Sequence, residues 1–155
     1  MAFGFFKKAE KKEDAHGPHY HDLLVKRIVR ETKDSISIWF EQPASGKITY
    51  KSGQFLTLIV TIQGKEVRRA YSLCSAAHVD EELAVTVKRV ENGLVSNYLN
   101  DHLKAGDRLK VMEPMGQFTT EYSTSNKRHL VMFAGGSGIT PMLSHIKSTL
   151  TLEPE

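Results

Sequence analysis

Five short runs of β-branched and aromatic residues, separated by turn residues, occupy the sequence from residue 21 to residue 90. These runs are His21–Arg30, Ser35–Glu41, Phe55–Ile62, Val67–Leu73 and Leu83–Val90. The second run alternates clearly, because Ile36, Ile38 and Phe40 fall on one face of an extended chain. Short strands at this spacing, with turn sequences such as QPASG between them, are typical of an antiparallel barrel or sandwich.

The pattern changes after residue 92. Gly93–Lys104 places Val95, Leu99 and Leu103 at helical spacing, and Asp107–Met112 returns to strand character. The sequence therefore predicts a mainly β domain that contains one helix before its last strand. We expect this domain to cover residues 20–122, after a flexible N-terminal arm over residues 1–19.

A continuous apolar run, His129–Ala134, follows a polar stretch that we interpret as a linker over residues 123–128. Such a run is typical of a strand covered on both faces in a parallel sheet. The glycine turn Gly135–Pro141 comes next, and Met142–Leu150 has a helical period. Strand, glycine turn and helix are the first βα unit of an α/β nucleotide-binding domain. We expect residues 129–155 to be the truncated start of such a domain, since one βα unit cannot form a parallel sheet.

Composition excludes several classes of protein. The single cysteine, Cys74, excludes an internal disulfide and a zinc or iron–sulfur site held by four cysteines of this chain alone. It makes a reducing cytoplasm the expected location, and we predict no metal site. The formal charge of +3 is too small to indicate nucleic acid, although it suits an anionic small ligand or an acidic partner. No apolar run approaches the roughly 20 residues that cross a bilayer, so no membrane association is expected.

Arg69, Tyr71 and Ser72 lie near the end of a predicted strand. Residues two apart share a face of a strand, so Arg69 and Tyr71 point the same way and Ser72 points to the other side. A guanidinium group suits phosphate oxygens, and a tyrosine ring can stack on a flat heterocycle. A surface arginine on an edge strand beside a core tyrosine is the alternative interpretation.

Two glycine-containing segments open predicted helices. Gly93–Ser96 could present successive backbone amides to an anion, although, taken alone, it is more simply explained as an ordinary helix cap. Gly136–Pro141 (GSGITP) lacks the ending of a Walker loop, and Pro141 replaces the third glycine of the dinucleotide fingerprint. It nevertheless follows a predicted strand and opens a helix, as a phosphate-binding turn does.

These motifs, taken in order, resemble the ferredoxin-reductase family of flavin-dependent oxidoreductases. The motifs are RxYS at Arg69–Ser72, VK at Val87-Lys88, GxxS at Gly93–Ser96 and GGSGITP at Gly135–Pro141, with Gly53-Gln54-Phe55 also similar to that family. The segment RAYSLCS is most similar to the corresponding sequence in reductase components of bacterial oxygenases, such as those of the phenylacetyl-CoA epoxidase reductase type. The resemblance, which covers about Tyr20 to the C-terminus, implies a six-stranded antiparallel Greek-key barrel with one capping helix that holds FAD.

The resemblance also implies a role for each motif. Arg69 would hold the pyrophosphate, Tyr71 would stack on the isoalloxazine ring, and Ser72 would lie near flavin N5, so that Tyr71 and Ser72 are the expected catalytic residues. Further contacts with FAD would come from Val87, Lys88, Gly93, Leu94, Val95, Ser96 and Thr140. Contacts with NAD(P)H would come from Gly136, Ser137, Gly138 and Pro141.

The function implied by the resemblance is electron transfer from NAD(P)H through FAD to an iron–sulfur centre that serves an oxygenase. The [2Fe–2S] cluster and most of the nicotinamide site would lie outside this chain, which alone should bind FAD but react weakly with NAD(P)H. One alternative is a flavin-binding electron-transfer subunit that oxidises no nicotinamide itself. Another is an oligonucleotide-binding barrel using Lys65, Arg68, Arg69, Lys88 and Arg89, although it lacks the aromatic residues expected of a stacking platform.

The single histidine of the last predicted helix, His145, is interpreted as a surface or partner-facing residue rather than a catalyst.

Overall fold

The computed structural model describes residues 19–153, so all but the last residue of the predicted N-terminal arm lies outside the described residues. Six strands and two helices follow in chain order. They are β1 (Tyr20–Thr32), β2 (Ser35–Phe40), β3 (Phe55–Ile62), β4 (Lys65–Ser72), β5 (Leu83–Lys88), α1 (Leu94–His102), β6 (Arg108–Met112) and α2 (Ile139–Leu152). A single 3₁₀ turn, Gly136–Gly138, leads into α2.

The six strands form one antiparallel sheet in the order β4-β3-β6-β1-β2-β5. The last strand, β6, is inserted between β3 and β1, which is the non-sequential order of a Greek key. The two edge strands approach each other, and the bridge between Leu73 and Val85 joins the chain near their ends. The sheet therefore curls into an incompletely closed barrel, as the sequence predicted.

Strand β1 supplies a corner of the barrel. Its first residues, 20–24, pair with β6, and residues 25–32 pair with β2. The register shifts between Val25 and Arg27, and such a bulge bends a strand and increases its local twist. One long strand can therefore serve both halves of the curled sheet.

The core lies inside the curl and follows the alternation seen in the sequence. Ile36, Ile38 and Phe40 of β2 are fully buried, together with Leu56 and Leu58 of β3. Helix α1 covers one end of the barrel with Val95 and Leu99, its two buried apolar side chains. The predicted capping helix is therefore confirmed, and it begins where the FAD-type motif Gly93–Ser96 was identified.

The predicted strand over His129–Ala134 is wrong, because these residues form no strand. Val131 is 76% exposed and Phe133 is 88% exposed. A parallel strand needs a neighbouring strand for its backbone hydrogen bonds, and within residues 19–153 every strand belongs to the barrel sheet. The helix of the βα unit does form, and it begins at Ile139. Pro141 falls in its first turn, where proline is tolerated because its missing amide would have no intrahelical partner.

Helix α2 docks on the barrel through polar side chains. Ser144 Oγ donates to the carbonyl of Ser75 at 2.6 Å, and Lys147 Nζ lies 2.8 Å from Asp80 Oδ2. His145 is 5% exposed and its Nε2 is 2.9 Å from the carbonyl of Phe118, so the interpretation of this histidine as a surface residue is wrong.

The polar segment over residues 123–128 is held against the end of α2 by one carboxylate. Glu153 accepts hydrogen bonds from the Ser123 amide at 3.2 Å, from the Asn126 side chain, and from Arg128 Nη2 at 2.9 Å. These donors, with Arg128 first, hold the pKa of Glu153 below its usual value. Between residues 19 and 153, neither helix has the length and apolar character needed to cross a membrane.

Candidate functional site

A cleft of about 450 Å³ lies where β4 and β5 fail to close the barrel, bounded by the start of α1 and the turn before α2. It brings together most of the residues that the motifs predicted. Its lining consists of Arg69, Ala70, Tyr71, Ser72, Thr86, Lys88, Val90, Gly93, Leu94, Val95, Ser96, Ser137, Gly138, Thr140 and Pro141.

Arg69 and Tyr71 share one face of β4, as the alternation predicted. Their partners across the ladder are Leu58 and Leu56, both fully buried, so this is the inward face of the curled sheet. An inward arginine is tolerated here because β4 is an edge strand and the sheet opens beside it. Side chains from the core face can therefore reach the cleft.

Arg69 is available for an anionic ligand. Its Nη1 donates to the carbonyl of Arg68 at 2.8 Å, and within the described part of the chain no carboxylate lies within 4.0 Å of its guanidinium group. The neighbouring Arg68 differs, because its Nη2 lies 2.7 Å from Glu66 Oε1. A guanidinium group that faces a cleft and has no carboxylate partner is well suited to bind phosphate.

Tyr71 and Ser72 are both half-buried at the cleft wall. Burial raises the pKa of Tyr71, and the charge of Arg69 opposes that rise, so the phenol is neutral near pH 7. Lys88, on β5 at the other edge of the opening, adds a second cation, and its Nζ lies 3.8 Å from Asp34 Oδ2. This part of the cleft offers a flat aromatic face, a hydroxyl group and polar side chains from β5.

Gly93 is the N-cap of α1 and allows the backbone to approach closely. A Cβ atom at this position would lie 2.5 Å from Ser96 Oγ and 3.0 Å from Val90 Cβ. The first turn of the nine-residue helix contains no acidic residue, so its free amides face the cleft without a competing carboxylate. Ser96 Oγ is already engaged, since it accepts from the Val90 amide at 3.1 Å.

The glycine turn before α2 lies at the same cleft. Ser137, Gly138 and Pro141, predicted to contact NAD(P)H, face the same space as Arg69. Thr140 is buried and its Oγ1 donates to the carbonyl of Ser137 at 2.9 Å, which fixes the turn. Gly136 has φ of +53°, a value that favours glycine.

Two predicted contacts lie outside this cleft. The side chain of Val87 is fully buried in the core, and its carbonyl accepts from Asn100 Nδ2 at 3.2 Å. Gly136 instead lines a neighbouring cavity of about 380 Å³ beside Trp39 and Cys74. The pKa of the buried Cys74 thiol is raised by that burial.

The motifs missed three residues of the cleft wall, Ala70, Thr86 and Val90. Thr86 could have been found, because it lies two residues before Lys88 on the same strand face. Ala70 and Val90 carry no chemical signal and enter only through the position of the backbone.

The arrangement suits a ligand with a flat aromatic part and an anionic part. Arg69 and the amides after Gly93 lie at the anionic end, and Tyr71 offers a ring face. Between residues 19 and 153, no three His, Cys, Asp or Glu side chains are grouped closely enough to hold a metal ion.

Comparisons with known proteins agree with this fold. The sequence profile of the oxidoreductase FAD-binding domain matches residues 22–120. One component of the 1,2-phenylacetyl-CoA epoxidase from Escherichia coli (strain K12) is 38% identical over 138 residues, which are 88% of this chain and 38% of that protein.

Two solved structures are also similar. The Amycolatopsis cytochrome P450 reductase GcoB is 26% identical with a TM-score of 0.78, covering 95% of this chain and 44% of that one. Phthalate dioxygenase reductase, described as modular for electron transfer from pyridine nucleotides to [2Fe–2S], is 27% identical with a TM-score of 0.71, covering 85% and 40%. The chain thus spans less than half the length of each of these proteins.

Proposed function

Because this chain belongs to the family of oxidoreductase FAD-binding domains, we propose that it is the flavin-binding module of an NAD(P)H-dependent reductase. In this proposal, electrons pass from NAD(P)H through FAD to an iron–sulfur centre that serves an oxygenase. The observation that carries the proposal is the position of Arg69 and Tyr71 on one strand face, opposite the amide-rich start of α1 at Gly93.

The residues of the cleft fit FAD at both ends. The guanidinium group of Arg69, which has no carboxylate partner among the described residues, and the amides after Gly93 would bind the pyrophosphate. A Cβ at position 93 would collide with Ser96 Oγ and disturb this helix start. The half-buried ring of Tyr71 would cover one face of the isoalloxazine, with Lys88 at its polar edge. FAD bound there would supply the redox chemistry, since a flavin can accept a hydride and give up its electrons one at a time.

Ser72 and Thr140 would orient the reacting part of the cofactor. They lie on opposite sides of the cleft, Ser72 at the end of β4 and Thr140 in the first turn of α2. We propose that the Ser72 hydroxyl donates to the flavin near N5 and that Thr140 approaches the ring from the other side. Ser137, Gly138 and Pro141 would border the nicotinamide nucleotide, with Gly136 at the neighbouring cavity.

The named functions of the similar proteins support the electron acceptor proposed here. Phthalate dioxygenase reductase is named for electron transfer to [2Fe–2S], and the other two proteins are a subunit of an epoxidase and a cytochrome P450 reductase. We propose a barrel over residues 20–122, a linker over 123–128 and the start of the nicotinamide-binding unit from residue 129. The proposed location is the cytoplasm, where NAD(P)H is available.

An anaerobic transfer experiment tests the proposed function. The chain is loaded with FAD, the flavin is reduced chemically, and an oxidised [2Fe–2S] ferredoxin of an oxygenase system is added. We expect two ferredoxins to be reduced for each flavin reoxidised, faster than with free reduced FAD at the same concentration. A rate equal to that of free FAD would contradict the electron-transfer role, and failure to bind FAD would contradict the whole proposal.

Adding NADH to the same FAD-loaded chain tests the donor side. We expect slow reduction or none, because between residues 19 and 153 the nicotinamide side of the cleft consists of the glycine turn and α2 alone. Rapid bleaching of the flavin absorbance by NADH would contradict this expectation.

A further inference from the structure

One face of α1 is polar, and its side chains contact the segment that joins β5 to the helix. Ser96, Asn97, Asn100 and Asp101 share this face, since they are spaced by one, three and four residues. Ser96, Asn97 and Asn100 are hydrogen-bonded to backbone groups within residues 87–93, and Asp101 is bonded to the side chain of Arg89. The helix therefore fixes the same segment that forms the part of the cleft suited to the anionic end of a ligand.

Two of these residues hold the turn itself. Asn97 Nδ2 donates to the carbonyl of Gly93 at 2.8 Å and to that of Val90 at 3.1 Å. Arg89 Nη1 donates to Asn97 Oδ1 at 3.3 Å and to Asp101 Oδ2 at 3.0 Å. The Val90 and Gly93 carbonyls already accept from the Gly93 and Asn97 amides, so Asn97 Nδ2 gives each a further donor. The bonds from Arg89 tie the segment before the helix to its polar face.

Asn100 differs because it joins two walls of the cleft. It is 7% exposed, and its Nδ2 donates to the carbonyl of Val87 on β5 at 3.2 Å and to that of Ser96 on α1 at 2.9 Å. Its Oδ1 accepts from Arg30 Nη1 on β1 at 3.2 Å. One buried carboxamide is thus hydrogen-bonded to three elements of the fold.

The two carbonyl groups bound by Asn100 adjoin the two ends of the cleft. Val87 lies between Thr86 and Lys88, whose side chains line the part that would hold the flavin ring. Ser96 lies in the first turn of α1, whose amides would hold the pyrophosphate. The hydrogen bonds of Asn100 therefore fix how far the ring end lies from the phosphate end.

We infer that Asn100 is a positioning residue that lets the cleft hold both ends of FAD at once. This inference rests on the proposed function, and Asn100 itself touches neither end. Two linked groups bind far more tightly than either alone only if both sites match the length of the linker. A change in the distance between β5 and α1 would remove that gain while each end could still be bound separately.

The test compares FAD with riboflavin, which has the same ring but no pyrophosphate. Binding of both is measured by fluorescence titration for the wild type and for Asn100→Ala. We expect the ratio of the riboflavin to the FAD dissociation constant to fall by at least about tenfold, since the joint gain is lost. Riboflavin affinity itself should change little.

Asn126→Ala is the matched control. Asn126 is also a partly buried asparagine whose Nδ2 donates to a backbone carbonyl, that of Glu121 at 3.3 Å, and to the side chain of Glu153. It lies outside the cleft, so its replacement should leave the ratio of the two dissociation constants unchanged.

A ratio unchanged by Asn100→Ala would overturn the inference, whether both affinities fall together or neither falls. If that variant does not fold, Arg30→Ala decides the question, because the exposed Arg30 can be removed without a large loss of core packing. The ratio should then fall by a smaller factor, and an unchanged ratio would again overturn the inference. A wild-type chain that binds neither compound would instead contradict the proposed function.

Discussion

Two adjacent arginines on β4 show how the environment of a residue decides its role. Arg68 is paired with Glu66 and lies near the ring of Tyr20, with its Cζ 5.9 Å from the ring centroid. Arg69 lies on the inward face and, within the described residues, has no carboxylate partner. The motif predicted the chemistry of Arg69, and the alternation of strand residues predicted its face. The opening of the sheet beside β4 explains why that face reaches the cleft.

Replacing Arg69 with alanine should weaken FAD binding by about 1.5–3 kcal/mol, the range for a hydrogen bond to a charged group. Isothermal titration with FAD measures this loss. Arg68→Ala is the matched control, since it removes the same charge from the adjacent position but not from the cleft, and it should change the affinity by less than about 1 kcal/mol. Equal losses for the two variants would show that Arg69 acts only through the overall charge.

The buried Tyr50 should make the free energy of unfolding fall at alkaline pH. Its hydroxyl donates to Ser75 Oγ at 2.8 Å, and burial raises its pKa to about 12 from 10.0. The folded state resists ionisation of this phenol, so stability is complete below pH 10 and is lost as pH rises towards 12. The loss should approach about 2.7 kcal/mol, or 1.36 kcal/mol for each pKa unit.

Denaturant unfolding at pH 9 and pH 11.5 measures this loss in the wild type and in Tyr50→Phe. Other tyrosines titrate in both proteins, so the relevant quantity is the difference between their pH dependences. The wild type should lose more stability than the variant over this interval. Equal losses would show that Tyr50 ionises as readily in the folded chain as in the unfolded chain.

Among the elements, the loops before β3 and after β6 form a reciprocal contact between two Gly-Gln-Phe sequences. A Cβ atom at Gly53 would lie 1.7 Å from the carbonyl oxygen of Phe118 and 2.4 Å from His145 Nε2. A Cβ atom at Gly116 would lie 3.1 Å from the ring of Phe55. The sequence shows the two copies, but their contact follows from the pairing of β3 with β6 and could not be predicted locally.

Gly53→Ala should destabilise the protein by more than about 2 kcal/mol, because it combines a strained backbone with a severe overlap. Gly64→Ala is the matched control. Gly64 has φ of +75°, close to the +90° of Gly53, but a Cβ atom there has no neighbour within 4 Å. Thermal or denaturant unfolding of the two variants separates overlap from backbone strain, and similar losses would contradict the crowding described at Gly53.

The prediction of individual elements succeeded where local pattern and tertiary partners agreed. Strand β2 and helix α1 have strong periodicity, and both pack their apolar faces into the core as predicted. The run His129–Ala134 has equally strong apolar character but forms no strand. Periodicity records which side chains favour burial, whereas a strand also needs backbone partners that a local pattern cannot supply.

In the whole molecule, the cleft is assembled from three segments distant in sequence: residues 69–72, residues 86–96 and residues 137–141. The motifs identified all three, and only the family resemblance predicted that they meet around one cofactor. The roles of Asn97 and Asn100 could not be predicted, because asparagine on a helix has no distinctive signal. Those roles depend on the backbone carbonyls that the fold places beside the helix.

A crystal structure of the chain reconstituted with FAD would show directly whether this cleft holds the whole cofactor. We expect the isoalloxazine against Tyr71 and the pyrophosphate between the guanidinium group of Arg69 and the amides that follow Gly93. FAD bound instead in the neighbouring cavity beside Trp39 and Cys74, or held at one end only with its pyrophosphate in solvent, would contradict it.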